Sequence, residues 1–151
     1  MEGFDYLDAR GIHYELIETP LVHTAEETAR ALGCGLELIL KSMLVFDSKH
    51  PERVSLFVVP GTKKLDFQRI NALCGYQKAR FYPVEKVLEK TGFEIGTLPP
   101  WGYSDDITLH YDKDIMKQSV VYAGSGDPRY LIKFNPKDLG QDHAIDFSAP
   151  L

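Results

Sequence analysis

Leu36-Glu37-Leu38-Ile39-Leu40-Lys41-Ser42-Met43-Leu44-Val45-Phe46 is the stretch from which the rest of the chain is read. From Leu38 to Phe46 only Lys41 and Ser42 are polar. A continuous apolar run of this length is a strand covered on both faces, or the end of a buried helix. It falls well short of the ~20 residues needed to span a bilayer. A polar turn at residues 47–52 and a second apolar run, Val54 to Val59, follow directly, so the two runs form an antiparallel hairpin. Lys41 is the anomaly. An ammonium is costly to desolvate unless it meets an anion or lines a cleft. The plain alternative is a lysine near a strand end that snorkels to water on its four-carbon stem. Position alone leaves both readings open.

The chain has 151 residues, 44% of them hydrophobic and 26% charged, which is the balance of an ordinary globular protein. That length is read as one domain over residues 1–151, large enough to bury a core. A net charge of −5 argues against wrapping a nucleic-acid duplex and against a DNA partner, while a short single-stranded end held by a local basic patch stays compatible. Cys34 and Cys74 are far apart, lack a CxxC pattern and have no nearby His cluster. They are expected as reduced, packed thiols rather than metal ligands. Met1-Glu2-Gly3-Phe4-Asp5 has neither the basic nor the apolar segment of a secretory signal. The expectation is a soluble cytoplasmic protein with no membrane span, no metal and no cofactor.

Local signals divide the remainder. Phe4 to Arg10 reads as a short amphipathic helix closed by Gly11, and His13 to Ile17 alternates as a strand. Thr24-Ala25-Glu26-Glu27 has the spacing of a capping box, opening a helix from Ala25 to Leu32 that Gly33 ends. Beyond Pro60-Gly61-Thr62, Asp66 or a neighbour caps a helix ending near Cys74-Gly75. A short strand, Ala79 to Tyr82, precedes a helix from Val84 to Lys90 with Pro83 at its start and Gly92 at its end. Gly92 to Ser104 is a Gly/Pro loop, where function often concentrates. Strands are expected at Ile107 to Tyr111, Ser119 to Tyr122 and Tyr130 to Phe134, then a short helix from Asn135-Pro136. The pattern predicts an α+β fold: a curved mixed sheet, mainly antiparallel, or an open barrel, with helices around it.

Familiar catalytic signatures are missing. Gly92-Phe93-Glu94-Ile95-Gly96 and Gly124-Ser125-Gly126 are not dinucleotide fingerprints, and no P-loop is present. Ser104, Asp105, Asp106 and His110 lie close in sequence without a nucleophile elbow. Adjacent carboxylates at Asp105 and Asp106 would face opposite sides of a strand and are better turn residues. Among His13, His23, His50, His110 and His143, His23 is the best catalytic candidate because it immediately precedes a capped helix. Two loops remain. Gly96-Thr97-Leu98-Pro99-Pro100-Trp101-Gly102 can hold backbone N–H groups outward, as oxyanion binding requires, or can be a plain turn. Ala123 to Pro128 sits between two strands, where most such loops merely connect a hairpin.

In order and spacing, these pieces resemble the YbaK/ProX family of aminoacyl-tRNA deacylases, related to the editing domain of bacterial prolyl-tRNA synthetases. The resemblance rests on Thr24-Ala25-Glu26-Glu27-Thr28-Ala29 before Leu32-Gly33, on Ile39 to Val45, and on Phe57-Val58-Val59-Pro60-Gly61 with Lys64-Leu65-Asp66. It continues through Ala72-Leu73-Cys74-Gly75, Thr91 to Gly96 with Pro100 and Gly102, Tyr122-Ala123-Gly124, and Asn135 to Leu139. The implied activity is hydrolysis of the ester between a wrong amino acid and the 3′ end of a tRNA. The implied partners are that aminoacylated end and an aminoacyl-tRNA synthetase. The family's lysine falls on Lys41 and its Gly-x-x-x-Pro loop on Gly96 and Pro100. Lys41 would hold the substrate end and Gly96 would approach the scissile carbonyl, while water, a ribose hydroxyl or a substrate thiol completes the chemistry. Thr19, Thr24 and Ser42 are then expected to line the amino-acid pocket, with Gly124, Ser125 and Gly126 closing it.

Two departures bear on the substrate. Thr97 stands where many members have a second Gly, and Pro99 where they have a small residue. The Gly124 to Pro128 loop lacks the Gly-Arg-Arg-Gly-like form of the cysteinyl-specific branch. The expectation leans away from a dedicated cysteinyl-tRNA deacylase and falls on a small side chain, alanine or cysteine, on a proline-type tRNA. The competing readings are a non-catalytic module that binds aminoacylated ends or a synthetase, and a hydrolase of unrelated small esters.

Overall fold

The structure, a computed structural model, describes residues 7–19, 24–139 and 144–151. Its centre is the hairpin read from the sequence: β2 (Leu40–Asp47) and β3 (His50–Pro60) run antiparallel, pairing Lys41 with Val59 and Leu44 with Leu56. The turn is tighter than residues 47–52, because β3 already begins at His50. The register slips between Phe46 and Asp47. Asp47 explains the slip. Its fully buried carboxylate accepts from the N–H groups of Lys49, Gln77 and Lys78 at 3.0–3.1 Å. Burial alone would raise its pKa, but those bonds outweigh burial and hold it well below the carboxylate range.

Alternation along the hairpin explains why the run is apolar throughout. Leu40, Leu44, Val54, Leu56 and Val58 enter one buried cluster with Trp101, Tyr111, Ile132 and Phe134. Val45, Phe57 and Val59 enter a second with Ile70, Tyr76 and Phe147. A strand with core on both faces has no solvent side to show polar residues. Each such side chain contributes about 1.5–3 kcal/mol by leaving water.

The hairpin lies within a mixed five-stranded sheet of order β5-β2-β3-β6-β9, with β5 at Ala79–Phe81, β6 at Ile107–Asp112 and β9 at Ala144–Ile145. β6 runs parallel to β3, so the long connection between them carries helices, as parallel pairing demands. A three-stranded antiparallel sheet has the order β1-β8-β7, formed by Tyr14–Glu18, Tyr130–Phe134 and Val121–Gly124. It touches the first sheet through a parallel bridge between Ile39 and Tyr122. Among the described residues, β4 (Lys63–Leu65) pairs only with β10 (Ser148–Pro150). The fold is α+β with mixed and antiparallel sheets, and none of the described sheets closes into a barrel.

α1 (Ala25–Leu32) begins as its capping sequence predicts: Thr24 Oγ1 accepts from Glu27 N at 3.1 Å, and Gly33 ends it in the left-handed region. α2 (Phe67–Cys74) is capped by Asp66, whose carboxylate accepts from Gln68 N and Arg69 N. The expected single helix from Val84 is instead a 3-10 turn, Val84–Lys86, leading into α3 (Val87–Thr91). Lys86, at φ −106° and ψ −5°, joins the two. β7 starts later than expected and reaches Gly124, where it supports the 96–101 loop. Of the helix expected from Phe4 to Arg10, Leu7–Ala9 are helical and the earlier residues lie outside those described. β4, β9 and β10 have no strong sequence alternation and were not foreseen. Among the described residues no helix is long and apolar enough to cross a membrane.

Candidate functional site

The first residues of β2 open onto a cleft of about 240 Å³. Its floor is Ile39, Leu40, Lys41 and Ser42; one wall is Thr24, Ala25 and Thr28 at the start of α1. Gly96 and Leu98 form the facing loop, Tyr122, Ala123 and Gly124 come from β7, and Thr19 and Leu131 complete the lining. The hairpin register sets the geometry. Lys41 shares its face with Met43 and Val45, and Ser42 takes the opposite one, at the place where the strand leaves its cover.

Lys41 Nζ donates to the carbonyl oxygen of Lys63 at 2.7 Å. The side chain is half-buried, and desolvation holds its pKa below the ordinary lysine value, with Glu26 pulling the other way. A carbonyl acceptor favours the charged form, so the local geometry presents Lys41 as an ammonium. Thr19 Oγ1 is buried and has no hydrogen-bond partner among the described residues. Buried hydroxyls are rarely left unpaired, so an orphan lining a cleft marks a place for a polar ligand atom.

Gly96 adopts φ +86° and has nothing within 4 Å of the position a Cβ would occupy. A ligand can therefore approach this backbone closely. The loop behind it is tied down at every step. Thr97 N and Oγ1 both donate to Glu94 O, and Gly126 N donates to Thr97 O at 2.8 Å. Tyr103 OH donates to Pro99 O, and Tyr111 OH to Pro100 O, each at 2.7 Å. Burial pushes the Tyr103 phenol far up, keeping it a neutral donor. Trp101 is fully buried beneath. At Gly124 a Cβ would stand 2.8 Å from the carbonyl oxygens of both Thr97 and Leu98, so only glycine lets β7 support the loop this closely.

The cleft thus gathers Lys41, Gly96, Thr19, Thr24, Ser42 and Gly124 from five separate places in the sequence. Pro100, Ser125 and Gly126 are not among the residues that line it. Pro100 is buried in the base of the loop; Ser125 Oγ donates to Tyr130 O at 2.6 Å and closes the β7–β8 turn. Gly126 holds Thr97, with the Phe93 ring packed against its α-carbon. These three shape the cleft from behind. Thr28, Leu98, Tyr122 and Leu131 line it without having been foreseen as site residues; only Thr28, four residues after Thr24 on one helix face, had a readable signal.

His23 and His143 lie outside the described residues. His13 is exposed, and His50 Nδ1 sits 3.3 Å from Asp47 Oδ2. His110 stacks on Phe57 and lies 3.8 Å from Cys74 Sγ, beside a second cavity of about 270 Å³. Asp106 occupies a turn and pairs with Lys90 at 2.5 Å. No group of three His, Cys, Asp or Glu side chains among the described residues could hold a metal ion.

Residues 19–141 match the aminoacyl-tRNA editing domain. Over 133 residues the chain is 34% identical to the proline–tRNA ligase of Thermosipho melanesiensis, covering 87% of this chain but 23% of the ligase. It is 32% identical to YwhH, an uncharacterized protein of Bacillus subtilis, over 78% of this chain and 73% of that one. A crystal structure described as a candidate trans-editing enzyme for prolyl tRNA synthetase superposes with a TM-score of 0.80 at 32% identity, covering 95% of this chain and 92% of the other. With the cleft, its lysine and its glycine loop all inside the matched segment, the chain belongs to the aminoacyl-tRNA editing domain family.

Proposed function

We propose that this protein is a trans-editing hydrolase that cleaves the ester between a small amino acid and the 3′ end of a tRNA. The observation that carries the reading is the convergence, in one small cleft, of the Lys41 ammonium, the open backbone of Gly96 and the buried hydroxyl of Thr19, which has no partner among the described residues. A synthetase separates side chains differing by a methylene by only about 1–3 kcal/mol, which is why a second hydrolytic sieve is useful.

Lys63 O occupies one of the three N–H donors of Lys41, leaving two for an ester carbonyl, a ribose hydroxyl or a phosphate oxygen. Lys41 acts by position and charge, not as a base. Among the described residues, the side chains lining the cleft supply no carboxylate or imidazole. In this reading the attacking group is a water held by the substrate's own ribose hydroxyl: it adds to the carbonyl, its proton passes to the 3′ oxygen, the ester C–O bond breaks, and the free amino acid and the tRNA leave. Gly96 supplies backbone to the developing oxyanion, held still by the bonded loop behind it. The ligase relatives favour a proline-type tRNA carrying alanine or another small side chain. A net charge of −5 gives little grip on a tRNA body and favours handover from a synthetase in the cytoplasm.

The test is a deacylation panel of alanyl-, cysteinyl-, seryl- and threonyl-tRNAs, including alanine on proline tRNA. Wild type releases at least one amino acid and Lys41→Ala releases none. Tight binding of a non-hydrolysable aminoacyl-adenosine analogue without turnover of any ester would instead identify a non-catalytic binding module. Turnover of small esters that neither tRNA nor the analogue inhibits would identify an unrelated esterase.

A further inference from the structure

The carbonyl that anchors Lys41 belongs to β4, a three-residue strand outside the five-stranded sheet. Two short paired strands have little stability of their own, so something must fix them. The fixing comes from the far end of the chain and from one buried carboxylate. β10 pairs Pro150 with Lys63 and Ser148 with Leu65, Asp66 N donates to Phe147 O, and Leu151 N donates to Thr62 O. Phe147 is fully buried against Phe57 at a ring separation of 4.8 Å.

Asp112, at the end of β6 and fully buried, links these parts. One oxygen accepts from Asp114 N at 2.9 Å and faces Lys63 Nζ at 3.4 Å; the other accepts from Ser148 Oγ. Asp114 also pairs with Lys63 Nζ and lies 2.9 Å from Lys117. A single carboxylate thus joins β6, β4 and β10 directly behind the carbonyl that receives Lys41.

We propose that Asp112 and Ser148 are positioning residues for Lys41: they immobilise Lys63, whose backbone carbonyl holds the ammonium in the cleft. The inference about turnover rests on the deacylase reading; the inference about Lys41 geometry does not, and two readouts keep them apart. The first is the rate at which trace acetic anhydride acetylates Lys41 in the native protein, followed by peptide mass spectrometry with Lys137 as internal reference. The second is the kcat and KM of the deacylation.

Loss of the carbonyl acceptor destabilises the ammonium and exposes more free amine, so Lys41 acetylation rises by about threefold in Ser148→Ala and more in Asp112→Asn. A displaced Lys41 costs about tenfold in kcat, with KM within about twofold. Ser148→Ala decides the matter, because it leaves Glu26, Lys63, Asp112 and Asp114, the charged groups around Lys41 and its anchor, unaltered. It also serves alone if Asp112→Asn does not fold. Unchanged Lys41 acetylation in folded Ser148→Ala overturns the proposal, even if Asp112→Asn responds, since that response would be charge alone. Raised acetylation in both variants, with no turnover by wild type, upholds the positioning and sinks the deacylase reading.

Discussion

Two cavities of nearly equal size, about 240 Å³ at Lys41 and about 270 Å³ beside His110, differ in how their polar groups are satisfied. In the second, the groups answer one another. Ser55 Oγ and Tyr76 OH share a buried 2.6 Å hydrogen bond, and the Arg53 guanidinium donates to Cys74 O and Gly75 O at the end of α2. Burial pushes the Cys74 thiol up, against weaker pulls from Ser55 and Arg53, so it stays a protonated packing group. At Lys41 the reverse holds: a hydroxyl is buried without a partner among the described residues, and a glycine leaves open space. Volume does not distinguish the two cavities. Unsatisfied polar atoms do, because folding alone does not retain them.

The strongest way to break this contrast is to remove the reactive-looking group from each cavity. Lys41→Ala is expected to slow single-turnover deacylation by at least about 100-fold. Cys74→Ala changes it by less than about twofold, since burial keeps that thiol protonated. A larger loss in Cys74→Ala would exchange the roles of the two cavities.

Next in size is Gly124→Ala. Its methyl would meet two carbonyl oxygens at 2.8 Å and push the Gly96 loop out of place, costing about tenfold or more in kcat with the fold intact by circular dichroism. Thr108→Ala, on the wall of the second cavity, leaves kcat unchanged.

pH sharpens the role of Lys41 itself. Its folded-state pKa lies below the ordinary lysine value of ~10.4 through burial, with Glu26 opposing. The charged form is present below that pKa and is lost as pH rises through it. The enzymatic rate, corrected for spontaneous ester hydrolysis, therefore falls on an alkaline limb, and Glu26→Gln moves the limb to lower pH. A rate that rises along this limb would make Lys41 a base.

The smallest effect separates stability from activity. Tyr76→Phe strands the buried Ser55 hydroxyl and costs about 1–2 kcal/mol in urea unfolding. Turnover stays at the wild-type level. A loss of turnover at constant stability would join the second cavity to the site.

Much of the fold was legible because its signals are local. The Leu38 to Phe46 run, the Thr24 and Asp66 caps and the Gly33 and Gly75 stops each encode backbone geometry within a few residues, and the elements form where those signals lie. β4 and β10 were not legible. Lys63–Leu65 and Ser148–Pro150 are too short to alternate and exist because they pair with each other across the chain. The buried Asp47 carboxylate was hidden for the same reason: its partners Gln77 and Lys78 lie about thirty residues away, and in sequence it is only a turn aspartate.

The sequence by itself determined that Lys41 is an exception within an apolar strand, and that glycines stand where the backbone must turn or be approached. Both follow from residue type and spacing. Tertiary structure alone decided which of the expected residues share the cleft and which stand behind it. Gly124 and Gly126 illustrate the division: two residues apart, at the end of β7 and just beyond it, one lines the cleft and the other bonds the loop beneath it. It also decided that the Lys41 ammonium rests on the carbonyl of Lys63. A backbone carbonyl carries no signature in sequence, and its place depends on a strand fastened by the last residues of the chain.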